Sequence, residues 1–534
     1  MQNSNTSLIK YCNKGENSII LELHSLYSFT DFHITFQENT ITDFYSEINA
    51  NGMKTYPKYE AIPIFTRWTA GEFIEARSWY KNIQLPIERE RGLEYETDYY
   101  RLGYIKQELK PNESITMLYT VDEKVVDIDI NLLFKEEEEK IKKNKNTFYN
   151  DLLKSGNQFI VNRKSTDSDS IIAGFHWFSD WGRDTMIAMR GLTIATGNKT
   201  ISESILSTFF KYINQGMIPN RFPDNNEDKI EYNTIDASMW LFVTMYDYYH
   251  KFQDVDFIKE HIAALKDILD WHINGTRYDI HVTPEGFLFG GQDGIQLTWM
   301  DAIVGAKVIT PRIGCPVEIN ALWYNALKIY CDFCTVLKND IDQKYLDIIS
   351  HFEHNFKPYF LNPEGTLHDV IIPNGPTDTS FRPNQIYCLS LPFTLLNPVE
   401  QKCIFEAVKS KLHTSYGLRT LEKDNPQFIA TYQGSQWDRD HAYHQGTVWP
   451  FLLSEYYTAF LKLYGDSVAN KLQVIAELLP LKEHFYNTQG LHCISEIFDG
   501  NDPQEGKGTI QQAWSVAALI QLYTNYKLDE IDVL

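Results

Sequence analysis

Basic residues are scarce in this chain of 534 residues. Its 49 lysines and arginines stand against 71 aspartates and glutamates, which gives a formal charge of −22 at pH 7. Nucleic acids and anionic membranes bind proteins through basic surfaces, so we expect neither as the main partner. A neutral polyol is compatible with this charge. No apolar run approaches the ~20 residues of a membrane-spanning helix, and the first residues lack the pattern of a secretory signal peptide.

Cysteine is also scarce, with seven residues at irregular spacings. Such spacing indicates free thiols, which are typical of a reducing cytosol, so we expect a cytoplasmic protein. Cys331 and Cys334 form a CxxC pair inside a helical pattern without a second pair, so neither zinc nor redox chemistry is indicated. No phosphate-binding glycine loop, GxSxG or HExxH motif is present, and we expect no cofactor.

Aromatic residues are abundant, at 14% of the chain, and the hydrophobic content of 43% allows a large core. The length predicts two or three domains. Residues 1–133 contain strand-like segments at 18–24, 32–36 and 114–121 with turn residues between them, which predicts an antiparallel β-sandwich. The alternating glutamates and lysines of residues 134–146 predict a linker helix.

From residue 147 to 534 the apolar spacing is helical. The clearest case is 318–334, where one apolar face recurs at i, i+3 and i+4. Similar patterns cover 201–214, 235–250, 255–273, 397–412, 446–464, 467–480 and 509–525. Short connections alternate with long loops rich in glycine, tryptophan and acidic residues. We therefore predict an α + β multidomain protein in which a closed helical barrel, with its site at the loop end, follows the sandwich.

Charged and aromatic residues concentrate in the loops of this helical region. Asp180, Trp181, Arg183 and Asp184 fall within five positions, just before a helix. Arginine and aspartate side chains bind vicinal hydroxyls through paired hydrogen bonds, which indicates sugar binding. The alternative is that one aspartate caps the helix and pairs with Arg183.

Two further loops each contain a carboxyl group in an aromatic setting. In the loop at 291–302, Trp299 precedes Asp301, whereas Asp293 fits a turn. In the loop at 491–500, Glu496 stands among apolar neighbours, which can perturb a carboxyl pKa. An aromatic ring stacks on a pyranose face, and glycoside cleavage needs two opposed carboxyls. Between these loops, residues 436–450 combine histidines and aspartates, but their spacing fits no zinc site.

Several motifs together resemble the amylo-α-1,6-glucosidase domain of glycogen debranching enzymes, in the free-standing bacterial and archaeal type. They are 177–184 (WFSDWGRD), 297–302 (LTWMDA), 316–325 (PVEINALWYN), 443–450 (YHQGTVWP), 495–500 (SEIFDG) and 512–515 (QAWS), with 77–80 and 88–95 in the sandwich. The resemblance implies an (α/α)6 barrel. It also implies inverting hydrolysis of the α-1,6-linked glucose at branch points of glycogen or limit dextrin.

The resemblance also implies roles for single residues. Asp301 would be the general acid, and Glu496 would be the general base. The substrate-binding residues would be Asp180, Trp181, Arg183, Asp184, Trp299, Lys307, Glu318, Asn320, His444, Gln445 and Trp449. The acidic Glu318 also suits the first turn of a helix without any sugar. Two alternatives stay open: another barrel glucosidase of glucoamylase or trehalase type, and a glycan-binding protein without catalysis. Nothing in the sequence indicates an oligomeric state.

Overall fold

The computed structural model describes residues 4–31, 34–143, 147–223 and 229–532. The chain forms two compact units, Met1–Asn146 and Thr147–Leu534. Within the described residues, no helix combines the length and the apolar character needed to cross a bilayer.

The first unit consists mainly of long antiparallel strands. They are β1 (Thr6–Cys12), β2 (Ile19–Tyr27), β3 (Tyr45–Asn49), β4 (Gly52–Tyr56), β5 (Ile64–Trp68), β6 (Glu72–Gln84), β7 (Glu96–Leu109) and β8 (Ser114–Thr120). One sheet has the order β1-β8-β5-β4-β3 and the other β2-β7-β6. Tyr27, Met53, Trp68 and Ile105 come from both sheets and share one core. The predicted antiparallel sandwich is therefore confirmed.

One strand prediction for this unit is wrong. Residues 34–36 form no strand, and residues 32 and 33 lie outside the described part. Phe36 instead anchors a loop, because its backbone N–H donates to the Thr97 hydroxyl (3.1 Å). The unit's helices are α1 (Pro86–Glu90), α2 (Glu123–Val126) and α3 (Ile130–Lys143). Helix α3 begins before residue 134 because Ile130 and Leu133 are buried against Leu118. Residues 144–146 of the predicted linker lie outside the described residues.

The second unit is dominated by helices. They are α4 (Phe148–Asn157), α5 (Gly182–Met189), α6 (Lys199–Lys211), α7 (Asp236–Phe252), α8 (Val255–Asn274), α9 (Val317–Leu337), α10 (Gln343–Phe360), α11 (Tyr387–Ser390), α12 (Pro398–Lys411), α13 (Gln436–Ala442), α14 (Leu453–Tyr464), α15 (Val468–Glu477), α16 (Leu479–Asn487) and α17 (Ala513–Tyr526). A π-helical segment, Arg190–Ala195, continues α5, and 3-10 turns occupy Arg277–Asp279, Pro383–Ile386, Pro450–Leu452 and Leu528–Glu530.

Most helices predicted from apolar spacing appear close to their expected bounds. The pattern over 318–334 corresponds to α9. The pattern over 446–464 does not form one helix, because Val448 and Trp449 pair as a strand with Leu418 and Arg419. Helix α10 was not expected, and it contains Pro358, a residue that normally interrupts a helix.

Six helices of the second unit contact one another in sequence. Helix α5 packs on α7, α7 on α9, α9 on α11, α11 on α14, α14 on α17, and α17 again on α5. Helices α4, α8, α10, α12 and α15 pack on members of this series, and α6 packs on the π-helical segment that continues α5. Side chains from both groups form a single large apolar core.

Short strands support the loops that connect these helices. They are β9 (Ile160–Arg163), β10 (Ser168–Ile171), β11 (Gly174–Phe175), β12 (His281–Val282), β13 (Leu288–Phe289), β14 (Ile303–Val304), β15 (Lys307–Val308), β16 (Cys315–Pro316), β17 (Val370–Ile371), β18 (Thr377–Asp378), β19 (His413–Thr414), β20 (Gly417–Arg419), β21 (Val448–Trp449), β22 (Ile497–Phe498), β23 (Gly506–Lys507) and β24 (Gln511–Gln512). The sheet β19-β20-β21-β22-β23 joins the loop at 443–450 to the loop at 491–500.

Candidate active site

Three helices of the contacting series, α5, α7 and α9, each carry an acidic residue at the N-terminal end. Asp184 lies in the first turn of α5, Asp236 begins α7, and Glu318 lies in the first turn of α9. Gly182 allows α5 to begin there, because a Cβ atom at this position would collide with the carbonyl oxygen of Pro219. These starts bring charged side chains from distant parts of the chain to one end of the helical unit.

Arg183 connects two of the carboxylates. Its Nε donates to both carboxylate oxygens of Asp236 (2.9 and 2.8 Å), and its Nη1 donates to Oδ2 of Asp301 (2.9 Å). The Arg183 side chain is buried, whereas that of Asp301 is 41% exposed, so Asp301 reaches the open side of the cluster. Burial opposes the charge of Arg183, but Asp236, Asp301 and Asp184 together raise its pKa.

The surroundings of Asp301 favour its protonated form. Enclosure by protein groups raises the pKa of its carboxyl above the usual range, and the ion pair with Arg183 offsets only part of this effect. Asp236 adds to the rise because it is a second negative charge near the same guanidinium. Asp301 is therefore suited to hold and release a proton.

Glu496 is buried and held at both oxygens. The Tyr443 hydroxyl donates to Oε1, and the backbone N–H of Thr509 donates to Oε2 (2.9 Å). Gly508 has a φ of +69°, and a Cβ atom there would collide with Glu496 Oε2. Burial, and then the charge of Glu496, raise the pKa of Tyr443 well above its ordinary value, which keeps the phenol protonated as a donor.

Asp184 lies within electrostatic reach of both carboxyls. Burial raises its pKa to about 7, with further contributions from Asp301 and Glu496 and an opposing effect of Arg183. The pKa of Tyr443 likewise responds to both Glu496 and Asp301. The two residues that the resemblance identifies as acid and base therefore border one site, together with a third carboxyl.

Aromatic rings form a wall beside these carboxyls. Trp299 meets His444 at 5.5 Å and Trp449 at 5.3 Å between ring centroids, both edge to face, and His444 stacks on Trp449 at 5.2 Å. The Trp299 indole N–H donates to Oδ1 of Asn384 (2.8 Å), which fixes the ring. His444 is fully buried, and neither of its ring nitrogens has a hydrogen-bond partner among the described residues.

The charge state of His444 follows from its neighbours. Burial lowers its pKa well below the ordinary value, and Arg382, Arg183 and Arg312 lower it further. The imidazole is therefore neutral and offers one donor and one acceptor nitrogen. Leaving both nitrogens of a buried ring without a hydrogen-bond partner is energetically costly.

Protein partners hold several of the predicted binding residues. Asp180 accepts from Arg163 (2.7 Å) and Ser170 (2.6 Å), and its side chain is 1% exposed. Glu318 pairs with Arg312, which also binds Asp369 (3.1 Å). Asn320 bonds to the backbone of Leu288 and Pro316. Glu318 thus lies in the first turn of α9, where an acidic residue is favoured, and also pairs with Arg312.

The other predicted residues differ in setting. The Gln445 amide joins Arg382 (3.0 Å) to Thr310 (3.1 Å). Trp181 is half-buried, with the Arg221 guanidinium 5.6 Å from its ring. Lys307 lies apart from the buried cluster, with its Nζ 3.1 Å from Nε2 of His441.

Tyr443 and Asp236 are site residues to which the sequence alone assigned no firm role. Tyr443 begins the motif at 443–450, but only the fold brings its hydroxyl to Glu496. Asp236 at a helix start fits an ordinary cap, whereas its carboxylate binds Arg183. In the described part of the chain, no group of three or more His, Cys, Asp or Glu side chains is arranged to hold a metal.

Comparison with known proteins identifies the family. Residues 154–521 match the family model described as amylo-alpha-1,6-glucosidase. The chain belongs to that family. The resemblance noted in the motifs is thereby confirmed, and membership makes the chain part of a glycoside hydrolase family. Residues 1–116 also match the model for the N terminus of glycogen debranching enzyme.

Two relatives illustrate the likeness. The glycogen debranching enzyme of Saccharomyces cerevisiae is 23% identical over an alignment of 466 residues, and the match covers 66% of this chain and 30% of the yeast protein. The chain thus spans under a third of that curated relative's length. The GH63 mannosylglycerate hydrolase of Thermus thermophilus, solved with Tris, superposes with a TM-score of 0.51 at 14% identity, over 71% of this chain and 100% of that one. This likeness concerns the fold.

Proposed function

We propose that this protein is an inverting amylo-α-1,6-glucosidase that removes the α-1,6-linked glucose at branch points of glycogen or limit dextrin. The observation that carries the proposal is the pairing of Asp301 and Glu496 in one site. Asp301 has a raised pKa and an exposed side chain, whereas Glu496 is buried with a hydrogen bond to each oxygen. Family membership supports the proposed linkage and substrate class.

Asp301 acts as the general acid. It donates its proton to the glycosidic oxygen, and the bond between that oxygen and the anomeric carbon breaks. The raised pKa favours the protonated form of Asp301 before the reaction, and the hydrogen bond from Arg183 stabilises the carboxylate that remains afterwards. The departing chain leaves as a free hydroxyl.

Glu496 acts as the general base. It takes a proton from a water molecule whose oxygen attacks the anomeric carbon from the face opposite the departing chain. The hydrogen bonds from Tyr443 and Thr509 favour the charged form that a base needs. Inversion by this route requires a separation of roughly 6.5–9.5 Å between the carboxyls, which leaves room for the water.

We assign sugar contacts to the residues whose rings or polar groups border the carboxyls. These are Trp181, Arg183, Asp184, Trp299, His444 and Trp449. Asp180, Glu318, Asn320 and Gln445 contribute by holding the loops, because their polar atoms bind protein partners. Lys307 belongs to the outer part of the site.

We further propose that residues 147–534 are the catalytic domain and form an (α/α)6 barrel. The cyclic series of contacts from α5 through α17 back to α5 supports a closed inner layer, with the remaining helices outside it. Residues 1–133 would be a separate sandwich domain, and 134–146 a linker. A branched α-glucan is the expected partner, and the cytoplasm the expected location.

The test is glucose release from a branched limit dextrin, compared with maltose and trehalose. The proposal predicts release from the dextrin and little from the two disaccharides. Preference for maltose or trehalose would instead indicate a glucoamylase-like or trehalase-like glucosidase. Dextrin binding without glucose release would indicate a non-catalytic glycan-binding protein.

A further inference from the structure

One tryptophan near the site is open to solvent. Trp437 on α13 is 50% exposed and is the most exposed tryptophan in the described residues, followed by Trp271 at 37%. By contrast, Trp299 and Trp449 beside the carboxyls are buried. An exposed indole offers an apolar face that a sugar ring can cover.

The position of Trp437 links it to both proposed catalytic loops. Helix α13 packs on β14, which begins two residues after Asp301. The same helix ends one residue before Tyr443, whose hydroxyl contacts Glu496. Six residues of helical rise separate Trp437 from Tyr443 by about 9 Å. Trp437 therefore lies on an element that adjoins both loops.

Polar groups surround the exposed ring. The Lys307 ammonium lies 5.2 Å from the Trp437 ring centroid and 3.1 Å from Nε2 of His441. The His441 ring centre is 4.2 Å from that of Trp437, and His441 Nδ1 bonds to the Trp437 carbonyl (2.6 Å). An apolar face bordered by hydrogen-bonding groups matches a pyranose, which presents an apolar face and a rim of hydroxyls.

We propose that Trp437, Lys307 and His441 form a subsite for the glucan chain on the leaving-group side of the scissile bond. This inference rests on the proposed function. The released glucose is a single unit and suits the buried wall of Trp299 and Trp449. The remaining glucan is long and must extend into solvent, so an exposed ring on an element that adjoins both loops is suited to bind it.

The first experiment compares two substrates by kcat/KM. One is the branched limit dextrin, and the other is α-glucosyl fluoride, which has no sugar on the leaving side. Trp437→Ala should lower the ratio of dextrin to fluoride by roughly tenfold. Trp271→Ala, the matched exposed tryptophan on α8, should keep the wild-type ratio. A wild-type ratio in Trp437→Ala, or equal losses on both substrates, would overturn the proposal.

The second experiment measures binding without turnover. In a Glu496→Gln background, isothermal titration calorimetry gives the Kd for limit dextrin with and without Trp437→Ala, and circular dichroism checks the fold. The expected result is a roughly tenfold rise in Kd, and an equal Kd would overturn the subsite. A wild-type enzyme that releases no glucose from the dextrin would refute the proposed function instead, and this Kd comparison would then decide the subsite alone.

Discussion

Tyr443→Phe removes one hydroxyl and leaves the aromatic wall in place. The ring of Tyr443 packs on Trp449 at 4.9 Å and on His444 at 4.7 Å between centroids, and phenylalanine keeps both contacts. The lost interaction is the donation to Glu496 Oε1. A hydrogen bond to a charged group is worth about 1.5–3 kcal/mol. If this hydrogen bond stabilises the transition state, its removal should lower kcat roughly 10- to 150-fold.

The same change should alter the pH dependence. Glu496 must be ionised to accept a proton from water, and the tyrosine hydroxyl stabilises the ionised form. Without that donor, Glu496 is protonated more easily as the pH falls. The acidic limb of kcat/KM on limit dextrin should therefore move to higher pH in Tyr443→Phe, while the alkaline limb stays near its wild-type position.

Tyr248→Phe is the matched control. The hydroxyl of this fully buried tyrosine donates to Oε1 of Glu203 (2.7 Å), near the end of α7 opposite Asp236. Both variants should lose about 1–3 kcal/mol of unfolding free energy, measured by urea titration. Only Tyr443→Phe should lose turnover. A Tyr443→Phe enzyme with wild-type kcat and an unmoved acidic limb would refute the role of Glu496 as a base held by Tyr443.

Three further changes test other parts of the site. Asp301→Asn should lower turnover on limit dextrin by about 10²–10⁴-fold with an unchanged circular dichroism spectrum, because the acid is lost; wild-type turnover would rule out this acid. Asp184 has a folded pKa of about 7 against an ordinary 3.8, so the folded state keeps a proton that the unfolded chain loses, and its contribution to stability is lost as the pH rises through that window. The unfolding free energy of Asp184→Asn should therefore rise relative to that of the wild type as the pH increases from 4 to 8, by up to about 4 kcal/mol in urea titrations. An equal difference between variant and wild type at pH 4 and at pH 8 would contradict this. Gly508→Ala should lose most activity because its Cβ displaces Glu496, whereas Gly465→Ala, with a φ of +86° and open space around it, should keep activity; equal activities would contradict the clash.

The regular elements followed from the sequence because their signals are local. The apolar face of 318–334 was enough to predict α9, and the alternation near 18–24 and 114–121 was enough for β2 and β8. The failures had physical causes as well. Residues 34–36 have suitable side chains for a strand, but Phe36 bonds to the Thr97 hydroxyl and the Asp98 backbone N–H of β7 without extending the sheet.

The residues that form the site could be predicted from the sequence, but the hydrogen bonds between them could not. The motifs identified Asp301, Glu496 and Arg183 as candidate site residues. The sequence gives no sign that Arg183 bonds to Asp301 and Asp236, because these residues lie on separate helices and loops. A carboxylate near an arginine looks the same in sequence whether it faces a sugar or a protein group. Glu318, paired with the buried Arg312, illustrates the second case.

The most direct test of the central claim is an anomer-resolved NMR experiment on a branched limit dextrin. Catalysis by Asp301 and Glu496 on opposite faces predicts that β-glucose appears first and then mutarotates, with no such signal from Glu496→Gln. Initial release of α-glucose, or no release of glucose by the wild-type protein, would contradict an inverting α-1,6-glucosidase.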